Sequence, residues 1–265
     1  MAESGLAKAR GILNPRAGER RFGLSRPLPY DDLAFFVEHY WIVRWDLRGQ
    51  NPYPSEVLPH PCVHLVIEKS RSRIYGVIRE KFSRLLADEG KVFGVKFRPG
   101  AFYPFWKSPV SGLTGSSIGI RVAFGVAGEF LEKTVLPREG EGEMVEVVEA
   151  FLRESLPERD ENVETINRVT DLITTDQAIT RVEDVAVQSG INKRTLQRLF
   201  ERYVGVGPKW VIRRYRLHEV AERLSEGKAV NLAELALELG YFDQAHFIND
   251  FKTIVGVTPT DYIGG

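Results

Sequence analysis

The spacing of apolar and polar positions changes near the middle of the chain. Over about residues 22–122 the apolar residues form short β-branched and aromatic runs between clusters of turn residues. H-Y-W-I-V-R-W-D-L ends in the turn R-G-Q-N, and L-P-H-P-C-V-H-L-V-I-E runs extended into a polar turn at 69–73. R-I-Y-G-V-I and K-V-F-G-V-K-F follow, the second stopped by Arg98, Pro99 and Gly100. Such runs predict the strands of an antiparallel barrel or sandwich. From residue 142 the period is helical: Met144, Val147, Val148, Phe151 and Leu152 share one face of a helix over 142–156. Pro157 and the charged R-D-E-N stretch predict a linker, and the rest reads as helix, beginning over 161–174.

Within the helical half the pattern is written twice. V-G-V-G-P at 204–208 returns as V-G-V-T-P at 255–259, and the residues before each copy also correspond. Ala186 and Gly190 match Ala236 and Gly240; Leu196, Phe200, Gly205 and Pro208 match Phe247, Phe251, Gly256 and Pro259. An offset of 50 that becomes 51 marks an internal repeat with one indel. Each copy predicts helix, glycine turn, helix. Thr180 with Glu183 forms a capping box for the first helix, and Asn192 caps the second. In the second copy Asn231 with Glu234, and Asp243, take those roles. Gly190 and Gly240 are expected to end the leading helices in the left-handed conformation. Two short helices about a tight glycine turn give the helix-turn-helix layout, although a pair of helical hairpins without any nucleic-acid role has the same outline. The outward residues of the second helix distinguish them. Lys193, Arg194, Gln197 and Arg198 carry the cationic and amide groups that phosphates and base edges need.

The C-terminal portion resembles the DNA-binding domain of the AraC/XylS family of bacterial transcription regulators. G-Y-F-D-Q-A-H-F-I-N-D-F-K-T-I-V-G-V-T-P-T-D-Y, residues 240–262, follows the family signature, and R-L-H-E-V-A-E-R-L looks like its linker helix. The resemblance implies seven helices in two helix-turn-helix subdomains joined by a long helix at about 208–226. It implies base contacts from Arg194, Gln197 and Arg198 in the first unit and from Gln244, His246 and Asn249 in the second, with Lys193 and Lys252 beside them. Asn249 departs from the pattern, because the family often has Arg there. Residues 177–230 hold 11 Lys/Arg against 6 Asp/Glu, while 231–265 hold 1 against 5. Phosphate neutralisation dominates affinity, so the first unit is expected to dominate binding. Trp210, Tyr215, Phe247 and Phe251 read as core, Arg216 as a structural partner of Glu219 or Glu222, and His218 as a surface residue.

F-G-V-K-F-R-P-G-A-F and L-P-H-P-C-V-H-L-V-I resemble, more loosely, the N-terminal domain of one branch of that family, whose fold looks cupin-like. The fold class expected is therefore α+β: an N-terminal antiparallel, cupin-like β-barrel with helices, and a C-terminal all-α domain with two helix-turn-helix motifs. The expected division is a flexible tail at 1–20, an effector-sensing and dimerisation domain at 21–157, a linker at 158–163 and the DNA-binding domain at 164–265. Two domains suit 265 residues. Zero net charge argues against an indiscriminate polycation but permits a local basic patch. Cys62 is the only cysteine, so no intrachain disulfide forms, and a reducing, cytoplasmic location is expected. No apolar run reaches membrane-spanning length, and 1–20 lacks a signal-peptide apolar region.

Two features of the N-terminal half suggest ligand chemistry. His60, Cys62 and His64 alternate, so on a strand they share a face and could hold Zn²⁺, or simply be two hydrogen-bonded histidines on a barrel wall. Tyr40, Trp41, Trp45, Phe97, Phe102, Tyr103, Phe105 and Trp106 are shared between core and a pocket for an apolar or aromatic effector. The effector residues expected are His60, Cys62, His64, Trp45, Phe97, Phe102, Tyr103 and Trp106. No cofactor and no enzymatic motif is read. The function expected is a sequence-specific regulator, an activator switched by a small molecule, with promoter DNA, RNA polymerase and a second copy as partners. The alternative is a cupin-like metal enzyme, or a metal or thiol sensor, fused to a DNA-binding module.

Overall fold

The computed structural model describes residues 21–225 and 231–264; the expected tail at 1–20 lies outside them. The architecture is α+β. Strands β1 (Gly23–Ser25), β2 (Val37–Asp46), β4 (His64–Glu68), β5 (Arg73–Tyr75), β7 (Glu89–Phe97) and β8 (Ser117–Gly119) form an antiparallel sheet in the order β1-β2-β7-β4-β5-β8. β3 (Tyr53–Val57) and β6 (Phe82–Leu86) form a separate antiparallel pair. The barrel is therefore two sheets whose strand pairing does not close into a ring.

Strand alternation gives the large sheet two unlike faces. Tyr40, Ile42, Leu65, Ile67, Phe93, Val95 and Phe97 point to one side and are fully buried. Helices α1 (Tyr103–Trp106), α2 (Ile120–Phe124), α3 (Leu131–Val135) and α4 (Glu141–Glu154) belong to this side. α4 buries Met144, Val145, Val148, Phe151 and Leu152, with Glu149 among them. Glu149 accepts hydrogen bonds from the Tyr40 hydroxyl at 3.1 Å, the Tyr30 amide at 3.0 Å and Arg153 at 2.9 Å, so its charge is paired.

Seven helices follow among the described residues: α5 (Glu161–Thr175), α6 (Val182–Ser189), α7 (Lys193–Leu199), α8 (Pro208–Ser225), α9 (Leu232–Glu238), α10 (Gln244–Val255) and α11 (Pro259–Gly264). α7 runs on through a wider turn at Phe200–Val204. Gly190, Gly205, Gly240 and Gly256 all have positive φ, which permits the turns that end these helices. Asn192, Asn231 and Asp243 cap as their sequence positions suggest. The cap of α6 is shifted by one: Asp184, not Glu183, accepts from the Thr180 and Arg181 amides, and Glu183 pairs instead with Lys193.

The apolar interior divides unexpectedly. One continuous core runs from the large sheet through α4, α5 and the first helix-turn-helix unit to Val211 and Ile212. A second, smaller core holds Leu217, Val220, Ala221 and Leu224 with α9 and α10, and takes in Leu58 from the N-terminal domain. α8 spans both.

Candidate functional site

The second face of the large sheet, the β3–β6 pair and the helices α5 and α8 line a partly open cavity of about 1110 Å³. The register of β2 against β7 orders its floor. His39 lies opposite Lys96, Trp41 opposite Gly94, Val43 opposite Val92 and Trp45 opposite Gly90. A side chain at Gly94 or Gly90 would fall within the Trp41 or Trp45 indole, so both rings lie flat over glycine. A shift of register between Val37 and His39 brings Glu38 to the cavity as well as His39. The floor thus runs from charged groups at one end to indoles at the other. Trp45 lies six positions along the strand from His39, about 20 Å of extended chain.

The charged end is built across the domain boundary. Lys96 donates to Glu38 at 2.8 Å. Burial pushes the Glu38 carboxyl up, but the hydrogen bonds from His39 and Lys96, with the Lys96 charge, outweigh it and hold the carboxyl at about 2. Arg214, from α8, is buried; its Nε donates to the Pro59 carbonyl at 2.5 Å and its Nη2 lies 3.2 Å from both ring nitrogens of His60. Its guanidinium also covers the Tyr215 ring. Burial, with Arg214 and Lys96 alongside, holds His60 well below its ordinary value. His64 faces Trp41, whose indole N–H donates to it at 3.3 Å, and burial with the nearby Lys96 holds it at about 3.

His60, Cys62, His64 and Trp45 of the sequence-derived effector set line this cavity. The structure does not bring Phe97, Phe102, Tyr103 and Trp106 to it. Phe97 follows Lys96 on β7 and so faces the core, where Phe102 joins it at 5.2 Å between ring centres. Tyr103 packs on Tyr203 of the first helix-turn-helix unit, 4.0 Å between rings, and Trp106 stacks beside Phe102. The three metal-ligand candidates are not on one strand: Pro59 and Pro61 keep 60–63 irregular, and β4 begins at His64. Among the described residues no group of three or more His, Cys, Asp or Glu is placed to hold a metal ion. Arg214 and Lys96 occupy the space beside His60, which opposes a cation there. Burial pushes the Cys62 thiol up to about 12, so it is a poor nucleophile. Lys96 and Arg214 have no sequence signal of their own, and Trp41 has none beyond its place in the aromatic set. Only the β2–β7 register and the docking of α8 place them.

The expected DNA contacts stand on α7 and α10, and none of them lines the cavity. Lys193, Arg194, Gln197 and Arg198 are exposed on α7. Lys193 is held by Glu183 and Gln197 by Glu201, while Arg194 and Arg198 make no ion pair among the described residues. On α10, Gln244, His246, Asn249 and Lys252 are exposed. His246 is turned toward α8, 3.4 Å from Arg213, which pairs with Asp250 at 3.0 Å. Arg216 is buried against Glu219 at 3.1 Å, and His218 is buried rather than superficial because α8 is packed on both sides.

Residues 25–119 match a domain of unknown function (DUF6597), and 185–264 match a helix-turn-helix domain. A putative AraC-like transcription regulator of Streptomyces lividans is 35% identical over 81 residues, 31% of this chain and 26% of that protein. The probable transcription factor PqrA of Proteus vulgaris is 33% identical over 82 residues, 31% of this chain and 66% of that protein. The chain thus matches only about a quarter of the length of the first of these. The crystal structure of ToxT from Vibrio cholerae O395 is similar over 92% of this chain and 98% of that one, at 13% identity and a TM-score of 0.39. No helix among the described residues is long and apolar enough to cross a membrane.

Proposed function

We propose that this chain, whose C-terminal portion is a helix-turn-helix domain of the AraC type, is a transcription regulator controlled by a small molecule. The observation that carries the reading is the position of the cavity. Its floor belongs to the N-terminal sheet and its roof to α5 and α8, and α8 joins the two helix-turn-helix units. A ligand there touches both the sheet and the helix that sets the relative placement of α7 and α10. A ligand that binds one arrangement of α8 better than another shifts their populations and hence DNA affinity. Arg194 and Arg198 supply phosphate or guanine contacts, and Gln197, Gln244, His246, Asn249 and Lys252 are candidates for the rest. The reading extends to activation through RNA polymerase, to a homodimer and to a cytoplasmic location.

Selection of binding sites from random duplex DNA by the full chain tests it. Enriched sites should hold two unlike elements about one helical turn apart. Recovery of no sequence preference above background sinks the proposal. A thermal-shift screen tests the sensor half separately, since a ligand that binds only the folded state raises the melting temperature.

A further inference from the structure

The cavity holds more positive charge than its own carboxylates neutralise. Of the cations lining it, Arg84 pairs with Glu68 and Lys96 with Glu38. Arg26, Arg98 and Arg214 also line it, and none has a carboxylate within ion-pair distance among the described residues. The remaining acids of the lining stand on α5 and α8. Glu219 is committed to Arg216, Glu222 faces His218 at 4.0 Å, and Asp171 is exposed on α5. Arg214 is 1% exposed, yet its hydrogen-bond partners are a carbonyl and an imidazole held neutral, and Glu38 and Glu222 act on it only from beyond ion-pair distance. The buried Nε of Arg26 has no hydrogen-bond partner among the described residues. Burying cations without counter-charge is costly, and a ligand that brings the counter-charge recovers that cost.

These cations are not spread evenly. Arg98 directly follows the end of β7, two residues past Lys96, and Arg214 reaches Lys96's neighbour His60. Arg26 lies close enough to Glu38, near the start of β2, to feel its charge, so the three gather where β2 begins and β7 ends. At the other end of the same floor lie Val43, Val92 and Trp45, and the lining as a whole is mostly apolar. Charge at one end and a long apolar floor define a ligand with an acid head and an elongated apolar body.

We propose that the cavity binds an amphiphilic organic acid, its anionic head on Arg214, Arg98 and Arg26 and its apolar body along Trp41, Val43 and Trp45. The proposal rests on the sensor reading above and narrows it to one ligand class. Because Arg214 belongs to α8, an anion drawing it from Pro59 and His60 changes a contact between the N-terminal domain and the helix that joins the two DNA-reading units.

Isothermal titration of the full chain with matched pairs tests this: dodecanoate against dodecan-1-ol, and biphenyl-4-carboxylate against biphenyl-4-methanol, all below their aggregation limits. We expect each acid to bind at least about tenfold tighter than its alcohol, a difference of about 1.4 kcal/mol. Arg214→Gln should abolish most of that preference, and Trp45→Ala should weaken acid and alcohol alike. Should Arg214→Gln fail to fold, Arg98→Gln and Arg26→Gln carry the same test, each expected to reduce the acid-to-alcohol ratio. Equal binding of acid and alcohol overturns the proposal, as does a ratio unchanged in every arginine variant. So does failure of both acids to bind. A neutral or cationic compound that stabilises the chain in the thermal-shift screen would then leave the sensor reading standing without it.

Discussion

Arg198 and Asn249 occupy equivalent places on α7 and α10, separated by the same 51 positions as the flanking glycines Gly205 and Gly256. One carries a full charge and the other none. Arg198→Ala should weaken DNA binding by about 1–3 kcal/mol and lower the salt dependence, whereas Asn249→Ala should alter preference at one base with a smaller loss. Titration of both variants on a selected site at two salt concentrations checks this, and equal losses contradict it. A second expectation concerns His60 and His64, both held neutral by burial. The folded chain resists protonating them, while the unfolded chain accepts protons below about pH 6.5. Their stabilising effect is fully present above that pH and is lost as pH falls below it, for His64 down to about 3, at about 1.4 kcal/mol per pH unit. The urea midpoint should therefore drop between pH 7.5 and 5.5, and the His60→Gln, His64→Gln double variant should drop less. A wild-type midpoint that does not move over this range speaks against the buried placement.

At the scale of elements, what the sequence reveals depends on how local the cause is. The helices of the repeat were readable because glycine turns and Asn or Asp caps act within a few residues. β2 and β7 were readable from their apolar content, but not their register, and it is the register that sets Trp41 on Gly94 and sends Phe97 away from the cavity. β3 was not readable: Y-P-S-E-V holds a proline and no alternation, and it is a strand only because β6 pairs with it. R-R-Y-R within α8 gives no hint that Arg214 and Arg216 are buried, since that depends on which bodies the helix meets. The same helix suggests a measurement. α5, α6 and α7 share the large core, whereas α9 and α10 rest on the small one. Amide exchange should be slowest in β2, β7 and α5 and markedly faster in α9 and α10, opening as a separate unit. Uniform protection across all of them contradicts two cores.

For the whole molecule, the boundary visible in sequence at 158–163 is not a boundary in packing. Tyr103 meets Tyr203, Thr114 donates to the Gly205 carbonyl at 2.6 Å, and Gly100 lies against Ile166. A fragment of residues 158–265 would expose the apolar surface that the sheet domain now covers. It should melt well below the full chain, or aggregate; an equal melting temperature would show that this interface contributes nothing.

The glycine turns of the repeat both touch the N-terminal domain, but unequally. A side chain at Gly205 would strike Thr114 and the Val110 backbone, whereas the atoms nearest one at Gly256 belong to the flexible end of Lys81. Synthesis proceeds from the N-terminus, so the large core is complete once Ile212 is available, before α9–α11 exist. The remaining residues are added at roughly 5–20 per second, onto a body that is already folded. A nascent chain at that moment has one basic helix-turn-helix unit fixed in place and no second one. On the function proposed above, a late mistake in translation would therefore yield a one-handed protein, its large core intact, that occupies DNA loosely and competes with the intact form.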